Sequence, residues 1–297
     1  MTDEQSWTIG KLLTWTTDFL REKGADNPRL DAEVLLAHAR SCPRIELYTA
    51  FEQEPDEPVR TAFRELVRRR AEGTPVAYLV GHREFFSLEF RVSPEVLIPR
   101  PETELLVVRG IDLAKLLSPE DDSEADLQIA DVGTGSGVLA VCLAKHLPST
   151  RVTAIDVSQP ALEVAHDNAT RHKVSERITF LCSDLFAECS ADAQFDLVVS
   201  NPPYVSTAEM SQLDAGVHNH EPHLALDGGE QGMAVYRRLV PQAAARLRPG
   251  GWLLMEVGPS NAEQVEALVT ETAGLAVKKT LVDLANLPRV VQALREE

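Results

Sequence analysis

The sequence predicts an α/β protein. Its main part is a mostly parallel, seven-stranded sheet with helices on both faces, preceded by a small helical bundle and a β-hairpin linker. Three observations carry this. From Leu127 onward, short apolar runs alternate with stretches of helical spacing, the pattern of a parallel sheet wrapped by crossover helices. The first of these runs ends in a glycine-rich turn, Gly133-Thr134-Gly135-Ser136-Gly137, with a helical stretch directly behind it. Before residue 81, by contrast, apolar residues recur at helical spacing.

In chain order, Ile9, Leu12, Leu13, Trp15, Phe19 and Leu20 mark the first helix. Asn27-Pro28 is a cap followed by proline in the first turn of a helix through Ala39. Pro43 opens a short helix through Ala50, and Asp56-Glu57-Pro58 opens one that runs to about Glu72 and stops at Gly73-Thr74-Pro75. Residues 83–92 alternate and are rich in aromatics, which reads as a hairpin or extended linker. Pro94, Pro99 and Pro101 mark a boundary, after which a helix is expected over 102–117. The expected domains are therefore 1–80, a linker at 81–98, and 99–297. The acidic stretch 118–126 reads as a surface loop. Strands are expected at 127–132, 151–155, 177–181, 195–200, 251–257, 275–282 and 288–294. Helices are expected at 137–147, 159–172, 230–247 and 260–273, the last with a capping box, Ser260-Asn261-Ala262-Glu263.

Composition narrows the class. At 297 residues the chain has room for two domains, and 44% hydrophobic with 25% charged residues is ordinary for a soluble protein. No apolar run approaches the roughly 18 residues of a membrane span, and the polar, acidic start, Met1-Thr2-Asp3-Glu4-Gln5, does not read as a secretory signal. Four cysteines without C-x-x-C spacing fit reduced thiols in the cytoplasm. The net charge of −17 is uneven: 13 Lys+Arg stand against 17 Asp+Glu in 1–98, and 16 against 29 in 99–297. Direct binding of nucleic acid, which favours a basic footprint, is not expected.

The most specific chemistry follows the run 195–200: Asn201-Pro202-Pro203-Tyr204. Two prolines remove two backbone donors and hold φ at about −65°. The residue before each is pushed to extended backbone. Asn201 adds a side-chain acceptor and an amide donor group; Tyr204 adds a flat π face and a hydroxyl. The set is a clamp for a planar group carrying NH2, either an amide or an exocyclic amine. The plain alternative is a structural turn of the kind Asn-Pro starts.

The glycine turn is not a dinucleotide fingerprint, because its sixth position from Gly133 is Val138, and no Gly-Lys-Ser/Thr of a P-loop occurs. Asp131, two residues before the turn, suits a ligand with a cationic amino-acid end. Asp156 lies about 20 residues past the glycines, where an acid bonds ribose hydroxyls. Cys182-Ser183-Asp184-Leu185 follows the third strand, and Asp184 is placed to accept from an adenine amine. Ribose, adenine and an amino-acid tail together make S-adenosylmethionine. A bare strand–helix connection at the glycines and a helix-capping role for Asp156 remain open at this point.

Taken in order, the glycine turn, Asp156 and the Asn-Pro-Pro-Tyr clamp resemble class I S-adenosylmethionine-dependent amino methyltransferases. The chain resembles more closely the release-factor glutamine methyltransferases (the PrmC/HemK family). The likeness extends to Gly81-His82-Arg83-Glu84-Phe85-Phe86, Leu97-Ile98-Pro99-Arg100-Pro101-Glu102-Thr103-Glu104, Asp156-Val157-Ser158, Asn168-Ala169 and Glu221-Pro222-His223-Leu224-Ala225-Leu226. It covers essentially the whole chain. It implies a class I methyltransferase fold and, as acceptor, the glutamine of the Gly-Gly-Gln tripeptide in peptide chain release factors. It also implies that Gly133, Thr134, Gly135, Ser136, Gly137, Asp131, Asp156, Asp184, Leu185 and Asn201 face the cofactor. Leu185 departs from the aromatic that some relatives carry beside the adenine.

For the reaction, Asn201 Oδ1 and the Pro202 carbonyl are expected to accept the two amide protons, with Pro203 stiffening the turn and Tyr204 packing on the planar amide. Two other enzyme readings share the clamp: a glutamine methyltransferase for a ribosomal protein, and an amino methyltransferase for a flipped adenine. A binding module without catalysis is the third. The triplet His218, His220 and His223 imitates metal spacing, but a solvated loop beside the site is expected and no metal is. Arg68-Arg69-Arg70 reads as a solvated helix face, and Arg100 to Glu104 as a proline-started helix with acids at its positive end.

Overall fold

The computed structural model of the chain describes residues 6–117 and 126–297, so the acidic stretch expected as a surface loop lies, apart from Asp126, outside the described residues. The chain divides into two units, one made of residues up to His82 together with Asp214–His220, the other of Arg83–Leu213 and Glu221–Glu297. The hairpin thus falls in the second unit from Arg83 on, and a short segment from the second half of the sequence belongs to the first.

The first unit holds α1 (Ile9–Glu22), α2 (Pro28–Ala39), α3 (Arg44–Thr49), α4 (Glu57–Ala71) and α5 (Val76–Val80). Local signals set their ends. Thr8 caps α1 by accepting from the Lys11 N–H, and Asp56 caps α4 by accepting from the Val59 N–H. Pro28 fills the first turn of α2. Ile9, Leu13, Leu20, Leu35, Leu36, Leu47 and Phe63 form the core. The first-helix pattern was wider than the buried stripe: Trp15 is 51% exposed and stacks on Phe19 at 5.1 Å.

The second unit opens with β1 (His82–Phe85) and β2 (Leu88–Arg91), a two-stranded sheet. Its turn residues Phe86 and Ser87 have φ of 50° and 58°, the left-handed geometry of a two-residue hairpin turn, here without glycine. There follow α6 (Glu104–Leu117) behind a 3-10 turn at Pro101–Thr103, β3 (Leu127–Val132), α7 (Val138–His146), β4 (Thr150–Asp156), α8 (Gln159–Arg171), β5 (Ile178–Cys182), β6 (Phe195–Ser200) and α9 (Thr207–Met210). Then come α10 (Ala215–His220, in the first unit), α11 (Ala234–Arg246), β7 (Leu247–Glu256), α12 (Ala262–Glu271), β8 (Leu275–Val282) and β9 (Pro288–Arg295).

The seven strands lie in the order β5-β4-β3-β6-β7-β9-β8. All pairs from β5 to β7 are parallel; β9 is antiparallel to both its neighbours. Alternate residues face opposite layers. Ile129, Leu197 and Leu254 enter the core shared with α6 and α7, while Ala130, Val198 and Leu253 enter the one shared with α11 and α12. Strand order reverses between β3 and β6, where a crevice opens at the strands' carboxyl ends.

Four local expectations change. Helices α9 and α10 occupy a stretch read as loop. The helix expected from 230 starts at Ala234, because Gln231 sits at φ 60° between Gly229 and Gly232. Strand β7 starts at Leu247, four residues early. The capping box expected at Ser260 does not form: the cap of α12 is Asn261, without a side-chain bond, whereas Ser206 and Glu209 make a complete box on α9. No helix among the described residues is long and apolar enough to cross a membrane.

Candidate functional site

A cavity of about 540 Å³ lies at the carboxyl ends of β3, β4 and β6. Gly133, Thr134, Gly135, Ser136, Asp156, Asp184, Leu185, Asn201, Pro202 and Pro203 all line it. Residues as far apart in sequence as Gly133 and Pro203, 70 positions, reach one wall because the parallel strands end side by side. A Cβ added to Gly133 would stand 3.9 Å from the Asn201 carbonyl oxygen, so the glycine turn and the clamp are neighbours.

The glycines divide the work. Gly133 and Gly135 have φ of 75° and 54°, and at Gly135 an added Cβ would meet nothing within 4 Å, so backbone is open to an approaching ligand. Gly137 does not line the cavity. It sits at φ 82° where α7 starts, and a Cβ there would stand 3.0 Å from the Ala165 Cβ of α8. Without a Cβ here α7 and α8 can pack closely, and Gly137, expected to face the cofactor, lies off the cavity wall.

Asp131 is also absent from the wall. It is fully buried behind the turn, where Oδ2 accepts from Thr134 Oγ1 at 2.7 Å and from the Ala140 N–H at 3.0 Å. Its Oδ1 is buried with no partner. Burial pushes this carboxyl up to about 7 against those two hydrogen bonds, with the Asp156 charge adding to the rise. Asp156 is raised as well, by burial, although its Oδ2 accepts from the Gly135 N–H at 2.8 Å and its Oδ1 from the Ser158 N–H at 2.9 Å. These bonds tie the end of β4 to the glycine turn. Asp184 Oδ2 accepts from Arg238 Nη2 at 2.5 Å, and Arg238 joins the wall with it. Leu185 holds φ of 53°, a costly backbone for a branched residue, and is nearly buried.

At the clamp, Asn201, Pro202 and Pro203 face the cavity, but Tyr204 does not. Its hydroxyl points inward, 3.5 Å from Glu256 Oε1, and its ring packs beside Gly258, where an added Cβ would stand 3.2 Å from it. Tyr204 thus lies beside the corner and off the cavity wall, where stacking on an amide was expected. Burial, chiefly, raises this phenol.

Three further polar residues, none of them given a role by the motifs, join the site. Thr103 lines the cavity and is buried; Asn201 Nδ2 donates to its Oγ1 at 3.2 Å. Glu256, at the end of β7, accepts from Thr103 Oγ1 at 2.6 Å and is pushed by burial up to about 7. Glu221 is buried, accepting from the Ile98 N–H at 3.1 Å and from Arg100 Nη2 at 2.5 Å. That ion pair clips two wall segments together, because Arg100 and Pro222 both line the cavity. The one sequence signal for Glu256 was an acid closing an apolar run, Trp252-Leu253-Leu254-Met255. His218 and His220 lie in α10 and His223 in a separate 3-10 turn. Among the described residues no group of three or more His, Cys, Asp or Glu is arranged to hold a metal ion.

Residues 11–81 match the family model of the PrmC N-terminal domain, and residues 110–228 that of the methyltransferase small domain. A release factor glutamine methyltransferase of Rhodopirellula baltica is 47% identical over 97% of this chain and 97% of its own. The chain belongs to the release factor glutamine methyltransferase family. Another member, from Geobacter sulfurreducens, is 41% identical over 96% of both chains. In fold, the chain is similar to the crystal structure of a methyltransferase from Pyrococcus furiosus, with a TM-score of 0.51, 16% identity, and coverage of 77% of this chain and 98% of that one. Membership of the release factor glutamine methyltransferase family makes the chain a methyltransferase whose cavity is its candidate active site.

Proposed function

We propose that the chain transfers a methyl group from S-adenosylmethionine to the side-chain amide nitrogen (N5) of the glutamine in the Gly-Gly-Gln tripeptide of peptide chain release factors, in the cytoplasm. The observation that carries this reading is the Asn201-Pro202-Pro203 corner on the same cavity wall as the Gly133–Ser136 turn. The family relatives carry the release-factor name. The residues fit the cofactor: Gly135 leaves open backbone, Asp131 holds an unpaired buried carboxylate oxygen behind the turn, and Asp156 and Asp184 line the same cavity.

Backbone at Gly133–Ser136 is assigned to the amino-acid end, Asp156 to the ribose and Asp184 with Leu185 to the adenine. When bound, S-adenosylmethionine supplies an electrophilic methyl group. An amide nitrogen is a poor nucleophile because its lone pair is delocalised into the carbonyl. Asn201 Oδ1 and the Pro202 carbonyl accept its two N–H bonds, holding the nitrogen in place and stabilising the positive charge that develops on it. Formation of the N–C bond would be matched by breaking of the sulfur–methyl bond, its electron pair staying on the departing thioether, and the one surplus proton on nitrogen departs to water. Tyr204 and Thr103 support this corner from behind. The helical domain at 1–80 is assigned to docking the protein substrate, with 81–98 as linker and 99–297 as the catalytic part.

The test is transfer of label from S-adenosylmethionine to purified release factor, with a Gln→Ala change in its Gly-Gly-Gln loop as control. Label in the normal factor alone supports the reading. Label in neither, with cofactor binding intact, overturns it and moves the ribosomal-protein and adenine acceptors forward.

A further inference from the structure

The Asn201 side chain can meet an acceptor NH2 in two orientations, and only one works. With Oδ1 forward it accepts an N–H; with Nδ2 forward it sets donor against donor. Nothing in the Asn201 amide itself chooses. The choice comes from what lies behind it, and there the structure places a single hydroxyl, Thr103, between Asn201 and a buried carboxyl, Glu256.

We propose that Glu256, acting through Thr103, fixes which end of the Asn201 amide meets the acceptor, so that both are positioning residues for the transfer. This rests on the function proposed above. A hydroxyl has one proton to give. An ionised Glu256 is acceptor-only, so Thr103 must spend that proton on Glu256 Oε2, 2.6 Å away. Its lone pairs are then left to accept, and the group 3.2 Å away must donate, which makes it Asn201 Nδ2. Oδ1 is thereby turned toward the cavity. A protonated Glu256 can donate to Thr103 instead; the hydroxyl then turns toward Asn201, and the amide polarity reverses.

The surroundings hold Glu256 near the point of change. Thr103 faces it from the 3-10 turn before α6, as does the Glu102 carboxylate, which opposes its ionisation. Tyr204 faces it from the clamp, its hydroxyl 3.5 Å from Oε1. Arg289 of β9 favours the ionised form, but its Nε is committed to Asp283 at 2.8 Å. Tyr236 of α11 donates to the Glu256 backbone carbonyl at 2.6 Å, leaving the carboxylate to Thr103 and Tyr204. Burial is the largest influence and raises the carboxyl to about 7.

The experiment measures kcat for release-factor methylation from pH 6 to 9 in wild type, Thr103→Val, Thr103→Ser and Glu256→Gln, with S-adenosylmethionine affinity by calorimetry. Wild-type kcat is expected to rise as pH passes through about 7. Thr103→Val, which keeps shape and loses the hydroxyl, is expected to lower kcat about tenfold or more, leave cofactor affinity within about twofold, and flatten that rise. Glu256→Gln is expected to flatten the same rise, and Thr103→Ser to restore it. A Thr103→Val enzyme with the wild-type rate, or a rise that survives in both Thr103→Val and Glu256→Gln, overturns the proposal. A merely structural role for Thr103 would lower stability and leave the pH profile in place. Failure of the wild type to label the factor would instead remove the acceptor assignment itself.

Discussion

Two glycines only two residues apart, Gly135 and Gly137, should fail in opposite ways when replaced by alanine. At Gly137 the backbone is left-handed, φ 82°, which costs an L-residue about 1–2 kcal/mol. The new Cβ would also stand 3.0 Å from the Ala165 Cβ and 3.1 Å from its Cα. Neither atom can swing aside, so α7 and α8 must part slightly, at the roughly 1–3 kcal/mol of an overpacked core. The total is about 2–5 kcal/mol, or a fall of roughly 4–20 °C in Tm for a unit of this size. At Gly135 the backbone cost is similar, but the Cβ meets nothing within 4 Å, so Tm should drop by only about 2–8 °C. That Cβ enters the cavity wall, however, and cofactor affinity should fall on the order of tenfold or more. Calorimetric melting and isothermal titration with S-adenosylmethionine at 15 °C separate the two. The division of roles fails if Gly135→Ala binds cofactor like wild type, or if Gly137→Ala weakens binding while keeping its melting temperature.

Three other changes probe the site. Asn201→Ala should lower methyl transfer by about 10²- to 10³-fold while S-adenosylmethionine binding by calorimetry stays nearly intact; equal loss of both would point to misfolding. Glu221→Ala strands Arg100 and the Ile98 N–H, and should destabilise the protein by about 3 kcal/mol in urea unfolding, with a weaker cofactor complex because two wall segments come apart. Asp131→Asn tests the buried carboxyl through pH. Its folded value of about 7 lies above the ordinary 3.8, so its contribution to stability is fully present below 3.8 and is lost as pH rises through 7. Wild type should therefore lose about 2–3 kcal/mol relative to Asp131→Asn between pH 5 and pH 8, and a stability difference that does not change with pH would contradict the assignment.

The parts of this protein that follow a period were readable from its sequence. Strand alternation and helical spacing located the sheet, and the glycine turn and proline corner located the crevice, because each depends on neighbours along the chain. Helices α9 and α10 were not readable: at four and six residues they are too short to show a period. The inward turn of Tyr204 was not readable for a related reason. Spacing shows that a tyrosine follows two prolines, but whether its ring turns outward to a ligand or inward to Glu256 depends on space left by Gly258, some fifty residues on.

The deeper miss is the pairing of Thr103 with Glu256, which are 153 residues apart. A carboxyl at the end of a buried strand is unfavourable on its own, by several kcal/mol if it must ionise without partners. Nothing adjacent in sequence relieves that cost, so a local reading marks Glu256 as an anomaly without saying what it serves. Its partners come from the turn before α6 and from the clamp, and they converge only because β7 lies beside β6 and so ends next to Asn201. The same reasoning applies to Asp131, whose unpaired Oδ1 is costly in the bare protein and makes sense beside a ligand with a positive end. In both cases a buried acid that its own strand cannot satisfy lies directly behind a wall where the proposed chemistry needs a fixed polarity. Such acids are therefore better guides to the supporting layer of this active site than any spacing between them.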